Sequence, residues 1–386
     1  MDLPNIPIKN PHVVLRRKRA GIFIVIAVVW LVIGVMGYRQ ELFNRSLAEE
    51  APNLSDPKHW ADMPRLLVSD LDSPRWGMEF TPSLFPLDNI VHGGPGKDGV
   101  PALTQPHIID AADFFIVNQE SLVIGLDLNG QTRAYPLDIL QYHEVVNDTL
   151  AGQPLLITFN QLSGLARVFS GRVDGRLLTF GSSGLFYQSS MLIYDRQTAP
   201  YEESLWSPMQ MIAVCGPAAA SRLRLEPFDA DLMRWSAWSK LHPETTVLSM
   251  QTGFDKPYHR PSEARYLHND FPMMPVPERS GRRPDLLNKE LTLILQIGEL
   301  VKAYPFSDIR SAHGEAIDDM LGRHRLRLSL DKASGQITVV APDEPDLPII
   351  RSYCYWFVWD AYYPEGKVYT GPGHRLIIQD SGQPLQ

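Results

Sequence analysis

One pattern of residues occurs twice in this chain, and any fold the chain adopts must accommodate both copies. The first copy opens Val123-Ile124-Gly125-Leu126-Asp127-Leu128 and closes at Asn129-Gly130, the dipeptide that best supplies the two left-handed residues of a tight hairpin turn. Residues 131–135 return as a second strand, and Pro136 ends it. Leu137, Ile139, Leu140, Val145 and Val146 then recur at helical spacing, with Asn147-Asp148 as the stop. After Ala151-Gly152-Gln153-Pro154 the chain re-enters a strand over residues 155–159. A further hairpin, 166–173 and 176–180, turns at Asp174-Gly175. Residues 294–305 repeat the opening and end in Ala303-Tyr304-Pro305, where the first copy has Ala134-Tyr135-Pro136. Residues 307–319 then take the helix, with His313 opposite His143, and 326–330 and 336–340 supply strands. Strand, turn, Ala-Tyr-Pro and helix recurring in order predict a strand-rich α+β fold of two related ββαβ-type units.

The other strong constraint lies near the N-terminus. Residues 20–38 are apolar without one charge, and a helix of about 20 such residues spans roughly 30 Å of hydrocarbon. Met36-Gly37-Tyr38 is a poor cleavage site, so a membrane anchor is expected rather than a removed signal. Arg16-Arg17-Lys18-Arg19 precedes the run, whereas its far side mixes Arg39 and Arg45 with Glu41, Glu49 and Glu50. That asymmetry keeps the N-terminus in the cytoplasm and exports everything after Tyr38. Beyond the N-terminus there is no basic stripe, and the net charge is −8, which argues against a nucleic-acid partner. The two cysteines, Cys215 and Cys354, lie outside any Cys-x-x-Cys and are expected to be free and buried.

The chain therefore divides into a basic tail (1–19), the anchor (20–38), a stalk rich in Pro, Asp, Glu and Ser (39–84) and a first unit holding the site (85–255). A Pro-rich connection (256–285) and a second, degenerate unit (286–386) complete it. Residues 231–241, with Trp235 and Trp238 at i, i+3, are expected to form an amphipathic helix. Trp206, Trp235, Trp238, Trp356 and Trp359 are expected in the core. The glycine-rich run 92–99 lacks a Gly-Lys-Ser/Thr ending and reads as a surface loop, not a phosphate loop.

Several stretches carry a resemblance: Asp98-Gly99-Val100-Pro101-Ala102-Leu103, Arg133-Ala134-Tyr135-Pro136-Leu137, His143-Glu144-Val145-Val146-Asn147-Asp148, Leu178-Thr179-Phe180-Gly181-Ser182-Ser183-Gly184, Tyr194-Asp195-Arg196-Gln197-Thr198 and Ser204-Leu205-Trp206-Ser207. In order and together they resemble an uncharacterised, mainly bacterial family catalogued as domain of unknown function 3179. With the anchor, the resemblance implies a single-pass protein of the bacterial inner membrane whose soluble region faces away from the cytoplasm. It brings no activity and no cofactor. Many members have Cys-Pro-Leu-Cys where this chain reads Asn160-Gln161-Leu162-Ser163, so thiolate redox or soft-metal chemistry is not expected here.

The densest run of reactive side chains is Tyr142-His143-Glu144-Val145-Val146-Asn147-Asp148. On a helix His143 and Asn147 share a face at i, i+4. His143 then reads as a base or metal ligand partnered by Glu144 or Asp148. The alternative is a hydrogen-bonded core histidine, with Asn147-Asp148 turning the chain. Position 147 is Asn, so the second histidine of a zinc-peptidase helix is missing. Gly181-Ser182-Ser183-Gly184 is not a nucleophile elbow and reads as a turn. Asn160 and Ser163 complete the candidate ligand set, with Asp195 and Arg196 as an adjacent pair that positions or caps a loop. Two functions remain: an anchored binding or accessory protein whose partner is a small molecule or another envelope protein, or an enzyme using His143.

Overall fold

The structure, a computed structural model, describes residues 78–371 apart from residues 79, 94–95, 115–118, 259–265, 267–268, 274–281, 313–315 and 333. The tail, the apolar run 20–38, nearly all of the stalk and His313 lie outside the described residues. Among the described residues no helix is long and apolar enough to cross a membrane.

The fold is α+β and strand-rich. Its α-helices are short: Leu137–Leu140 (α1), Pro217–Ala220 (α2), Trp235–Leu241 (α3), Phe306–Ser311 (α4) and Trp356–Tyr362 (α5). A nine-stranded central sheet runs Leu103–Thr104, Val145–Leu150, Gln153–Asn160, Leu165–Ser170, Ile350–Tyr355, Leu291–Ile297, Leu300–Pro305, Lys367–Val368, with Pro227–Phe228 added beside Leu165–Ser170. It draws on both units. A five-stranded sheet orders Asp231–Arg234, Leu122–Leu128, Gln131–Pro136, Thr246–Leu248 and Ile108–Asp110. Another orders Ile90–His92, Phe180–Tyr187, Ser190–Asp195, Leu205–Ser207 and Ile212–Cys215.

The hairpins follow their turn chemistry. Asn129-Gly130, Ala151-Gly152 and Asp174-Gly175 all have positive φ at both positions, the mirror-type turn whose twist matches that of paired strands. The same order of elements then occurs twice in one register. Leu122–Leu128 pairs with Gln131–Pro136, as Leu291–Ile297 pairs with Leu300–Pro305. A later strand adds antiparallel to the first of each hairpin, Arg234 opposite Leu122 and Tyr355 opposite Leu291. A helix opening Trp235-x-x-Trp238 or Trp356-x-x-Trp359 follows, then a strand parallel to the second of the hairpin. Val247 lies opposite Ala134 and Val368 opposite Ala303. Arg133 binds Asp148 at 2.7 Å in the first unit, and Lys302 binds Asp319 at 2.6 Å in the second.

Several sequence expectations change: the helix expected over residues 307–319 spans only Phe306–Ser311, and Ile317–Leu321 is a strand. The helix after Pro136 stops at Leu140, and Val145–Leu150 is a strand. Two consecutive β-branched residues there pack better on a pleated sheet, and Glu144 at φ +57° breaks the helical path before them. Likewise only Trp235–Leu241 is helical, since Asp231–Arg234 extends the hairpin sheet.

Successive side chains of a strand point to opposite faces, so the central sheet is buried on both sides. Val146, Ile157 and Val168 pack with Ile124, Tyr135, Leu326 and Tyr304 on one face. Val145, Leu156 and Phe169 pack with Phe180, Ile193 and Trp206 on the other. All five tryptophans named above are buried. Cys215 and Cys354 are unpaired and buried.

Candidate functional site

The turn between α1 and Val145–Leu150 carries the most heavily engaged polar groups of the first unit. His143 is fully buried. Its Nδ1 lies 2.7 Å from the Pro101 carbonyl and its Nε2 2.7 Å from the Tyr258 hydroxyl. A carbonyl only accepts, so Nδ1 carries the proton, and Nε2 accepts from Tyr258, whose oxygen in turn meets the Thr252 hydroxyl. Burial pushes the His143 pKa down, and Lys256 adds to this against the Pro101 bond. The ring is neutral with both nitrogens occupied, so it orients the turn.

Glu144 follows at φ +57°, a conformation that non-glycine residues adopt at a cost and that clusters at functional sites. Its carboxylate accepts from Asn160 Nδ2 at 2.9 Å and from Ser182 Oγ at 2.7 Å. Burial raises its pKa, and the two hydrogen bonds oppose that rise. Asn160 is held in turn: its Oδ1 accepts from the Ser163 amide at 3.1 Å and the Ser163 hydroxyl at 3.0 Å. The stretch Asn160-Gln161-Leu162-Ser163 is thus a compact turn whose two polar ends touch each other and whose Asn160 holds Glu144. Ser182 is not in a turn; it sits within Phe180–Tyr187 beside a register shift between Ser182 and Leu185. Such a bulge re-aims a side chain, here toward Glu144.

A second polar group adjoins through Gly181-Ser182. The Asp98 amide donates to the Ser182 carbonyl at 2.9 Å. A Cβ on Gly181 would come within 2.6 Å of the Tyr194 ring and 2.8 Å of Asp98 Oδ1, so only glycine lets the strand pass. Asp98 accepts from Arg196 at 2.9 Å and from the Tyr194 hydroxyl, and Lys97 pairs with Glu203.

The remaining sequence candidates go elsewhere. Asn147 fixes the two sheets to each other, its amide accepting from Phe180 N–H at 2.7 Å and donating to the Phe180 carbonyl at 2.9 Å and the Leu103 carbonyl at 3.2 Å. Asp148, on the opposite face of the strand, takes Arg133 and the Tyr135 hydroxyl at 2.9 Å. Asp195 and Arg196 do not pair: Asp195 is buried against the Ser204 amide and the Trp206 indole N–H. Tyr142 is half-buried and meets the Tyr258 ring edge-on at 5.7 Å. The sequence reading missed Tyr258 and Thr252, which lie in a stretch with no strand or helix periodicity. Among the described residues no three His, Cys, Asp or Glu side chains converge as a metal ligand set.

Stretches distant in sequence therefore meet at one place: 97–103, 142–148, 160–163, 179–184 and 194–196. A family described as "Protein of unknown function (DUF3179)" matches residues 97–366, and the chain belongs to it. No curated protein and no solved structure matches the chain.

The two shifted groups give opposite pH slopes. A histidine with a lowered pKa binds fewer protons when folded, so stability falls as pH drops below about 6.5. A carboxyl with a raised pKa binds more protons when folded, so its contribution falls as pH rises past about 4.5. Glu144→Gln removes only the second. Its stability relative to wild type, from urea midpoints, should rise between pH 4 and pH 7.5; a pH-independent difference would show that the carboxylate is not desolvated.

Proposed function

We propose that this is a membrane-anchored exported protein whose first unit binds a small ligand at Glu144, Asn160 and Ser182, acting as a binding or accessory protein of the envelope. The observation that carries this reading is the Glu144 carboxylate, held in a strained backbone conformation by two neutral side-chain donors where five separated stretches meet. A fold that spends strain and desolvation on one carboxylate at such a junction is using it. The two units derive from one duplicated module. The second keeps the Tyr304–Pro305 end of the hairpin, the Trp-x-x-Trp helix and the Lys302–Asp319 pair, and serves as scaffold. Full-length protein purified in mild detergent should release a small molecule on denaturation, detected by mass spectrometry and absent from Glu144→Gln. Equal release from both would remove the reading.

The Ser182 hydroxyl 2.7 Å from Glu144 favours a second reading, an acid/base enzyme in which Glu144, rather than the occupied His143, takes the proton. Stoichiometric metal in the full-length protein, lost in Glu144→Gln, would support its metal-dependent form.

The anchor rests on the apolar run 20–38 and the Arg16–Arg19 cluster. Alkaline phosphatase fused after Gln386 should be active in a bacterial host. An inactive fusion beside an active cytoplasmic reporter would reverse the orientation.

A further inference from the structure

Among the described residues, buried or half-buried arginines have acceptors, with one exception. Arg283 is held by Asp308 and Asp285, Arg351 by Asp229 and Asp231, Arg282 by Asp360 and two carbonyls, and Arg133 by Asp148. Arg167, in the strand Leu165–Ser170, is only 4% exposed, and its Nε has no hydrogen-bond partner. Among the described residues no carboxylate pairs with it.

Its surroundings are neutral. Cross-strand from it is Thr158, whose hydroxyl is turned to the Arg167 carbonyl. The ionisable groups whose charge reaches it are Cys354 and Tyr363. Burial pushes the Cys354 thiol up to about 12 and raises Tyr363, so neither supplies a negative charge at neutral pH. Tyr363 stacks on Trp359, ring centroids 4.4 Å apart, and it also feels the exposed pair Arg224–Glu299.

A buried guanidinium Nε–H without an acceptor is costly, and the planar fork of donors matches two oxygens of one anion. We propose that Arg167 is the centre of an internal anion-binding site that takes a compact oxyanion group, a phosphate or a carboxylate. The proposal rests on Arg167 and stands whether or not Glu144 binds a ligand.

The probe is inorganic phosphate, added to the full-length protein in detergent at ionic strength held constant with sodium chloride. The wild-type thermal midpoint should climb with phosphate by about 5 °C at saturating concentration. Acetate in place of phosphate tells a carboxylate site from a phosphate site by which of the two gives the larger shift. Arg167→Met should show no such climb, and its midpoint without phosphate should equal or exceed that of wild type, because an apolar chain of similar length replaces an unpaired ion. Arg167→Lys should keep a weakened response. A wild-type midpoint that ignores both anions overturns the proposal. So does a parallel climb in Arg167→Met, or a loss of cooperative folding in that variant, which would mean that the guanidinium has a structural partner.

Discussion

Arg283→Ala should lower folding stability by about 3–5 kcal/mol, the largest single-residue loss expected in this protein. The side chains of Arg283 and Asp308 are both fully buried and meet at 2.7 Å, with a second contact at 3.2 Å. Removing the cation leaves the buried Asp308 carboxylate without the guanidinium that meets it at two points. The pair matters architecturally, because Arg283 ends the Pro-rich connection and Asp308 lies in the first turn of α4. It therefore fixes the connection onto the second unit. Replacing both partners by apolar residues, Arg283→Met with Asp308→Leu, should recover most of the loss. Urea unfolding of the three variants is the measurement, and a loss under 1 kcal/mol for Arg283→Ala would contradict the buried pair.

Asn147→Ala should cost about 2–4 kcal/mol, since it strands a buried N–H and a buried carbonyl of Phe180 together. Asn147→Asp should also destabilise above the carboxyl pKa: the acid still accepts from Phe180 N–H but faces the Phe180 and Leu103 carbonyls with lone pairs. The same urea series applies. An Asn147→Ala protein with wild-type stability that has lost its bound molecule would return Asn147 to the ligand set.

These two residues illustrate what a single sequence can convey. The hairpin at Asn129-Gly130 was legible because positive φ at two successive positions leaves few residue choices. The Ala-Tyr-Pro recurrence was legible because proline ends both strands at the same point. The helical placement of Asn147 fails because its partners, Phe180 and Leu103, are distant in the chain, and because helical spacing over residues 137–146 competes with the strand preference of Val145-Val146. Tertiary pairing with Gln153–Asn160 decides that contest. The second half of the repeat is present in the sequence, where Trp235, Trp238, Pro243, Glu244 and Val247 recur as Trp356, Trp359, Pro364, Glu365 and Val368. A longer insertion in the first unit separates the halves and hides the period. The repeat even accounts for a lone indole. Trp238 donates to Thr245 at 2.9 Å, whereas Trp359 has Gly366 in that place and its Nε1 is left without a partner.

Composition alone singles out His143 and Glu144, and the fold gives each a different set of partners. Sequence favoured the histidine, whose ring nitrogens turn out to be engaged by Pro101 and Tyr258. Glu144 instead accepts from the neutral donors Asn160 and Ser182, and burial raises its pKa. Neither the Pro101 carbonyl nor the Ser182 hydroxyl can be placed beside this turn without the fold.

The central claim is that the ligand sits at the Glu144 junction. A competing location is the groove of about 480 Å³ between the units, where Leu122, Leu232 and Phe306 form an apolar floor beside Arg310 and Lys332. Hydrogen–deuterium exchange on the full-length protein, as purified and after its bound molecule has been stripped, separates the two. Protection by the ligand over residues 97–103, 142–148 and 179–184 is the predicted result; protection confined to residues 306–310 and 330–335 would contradict it.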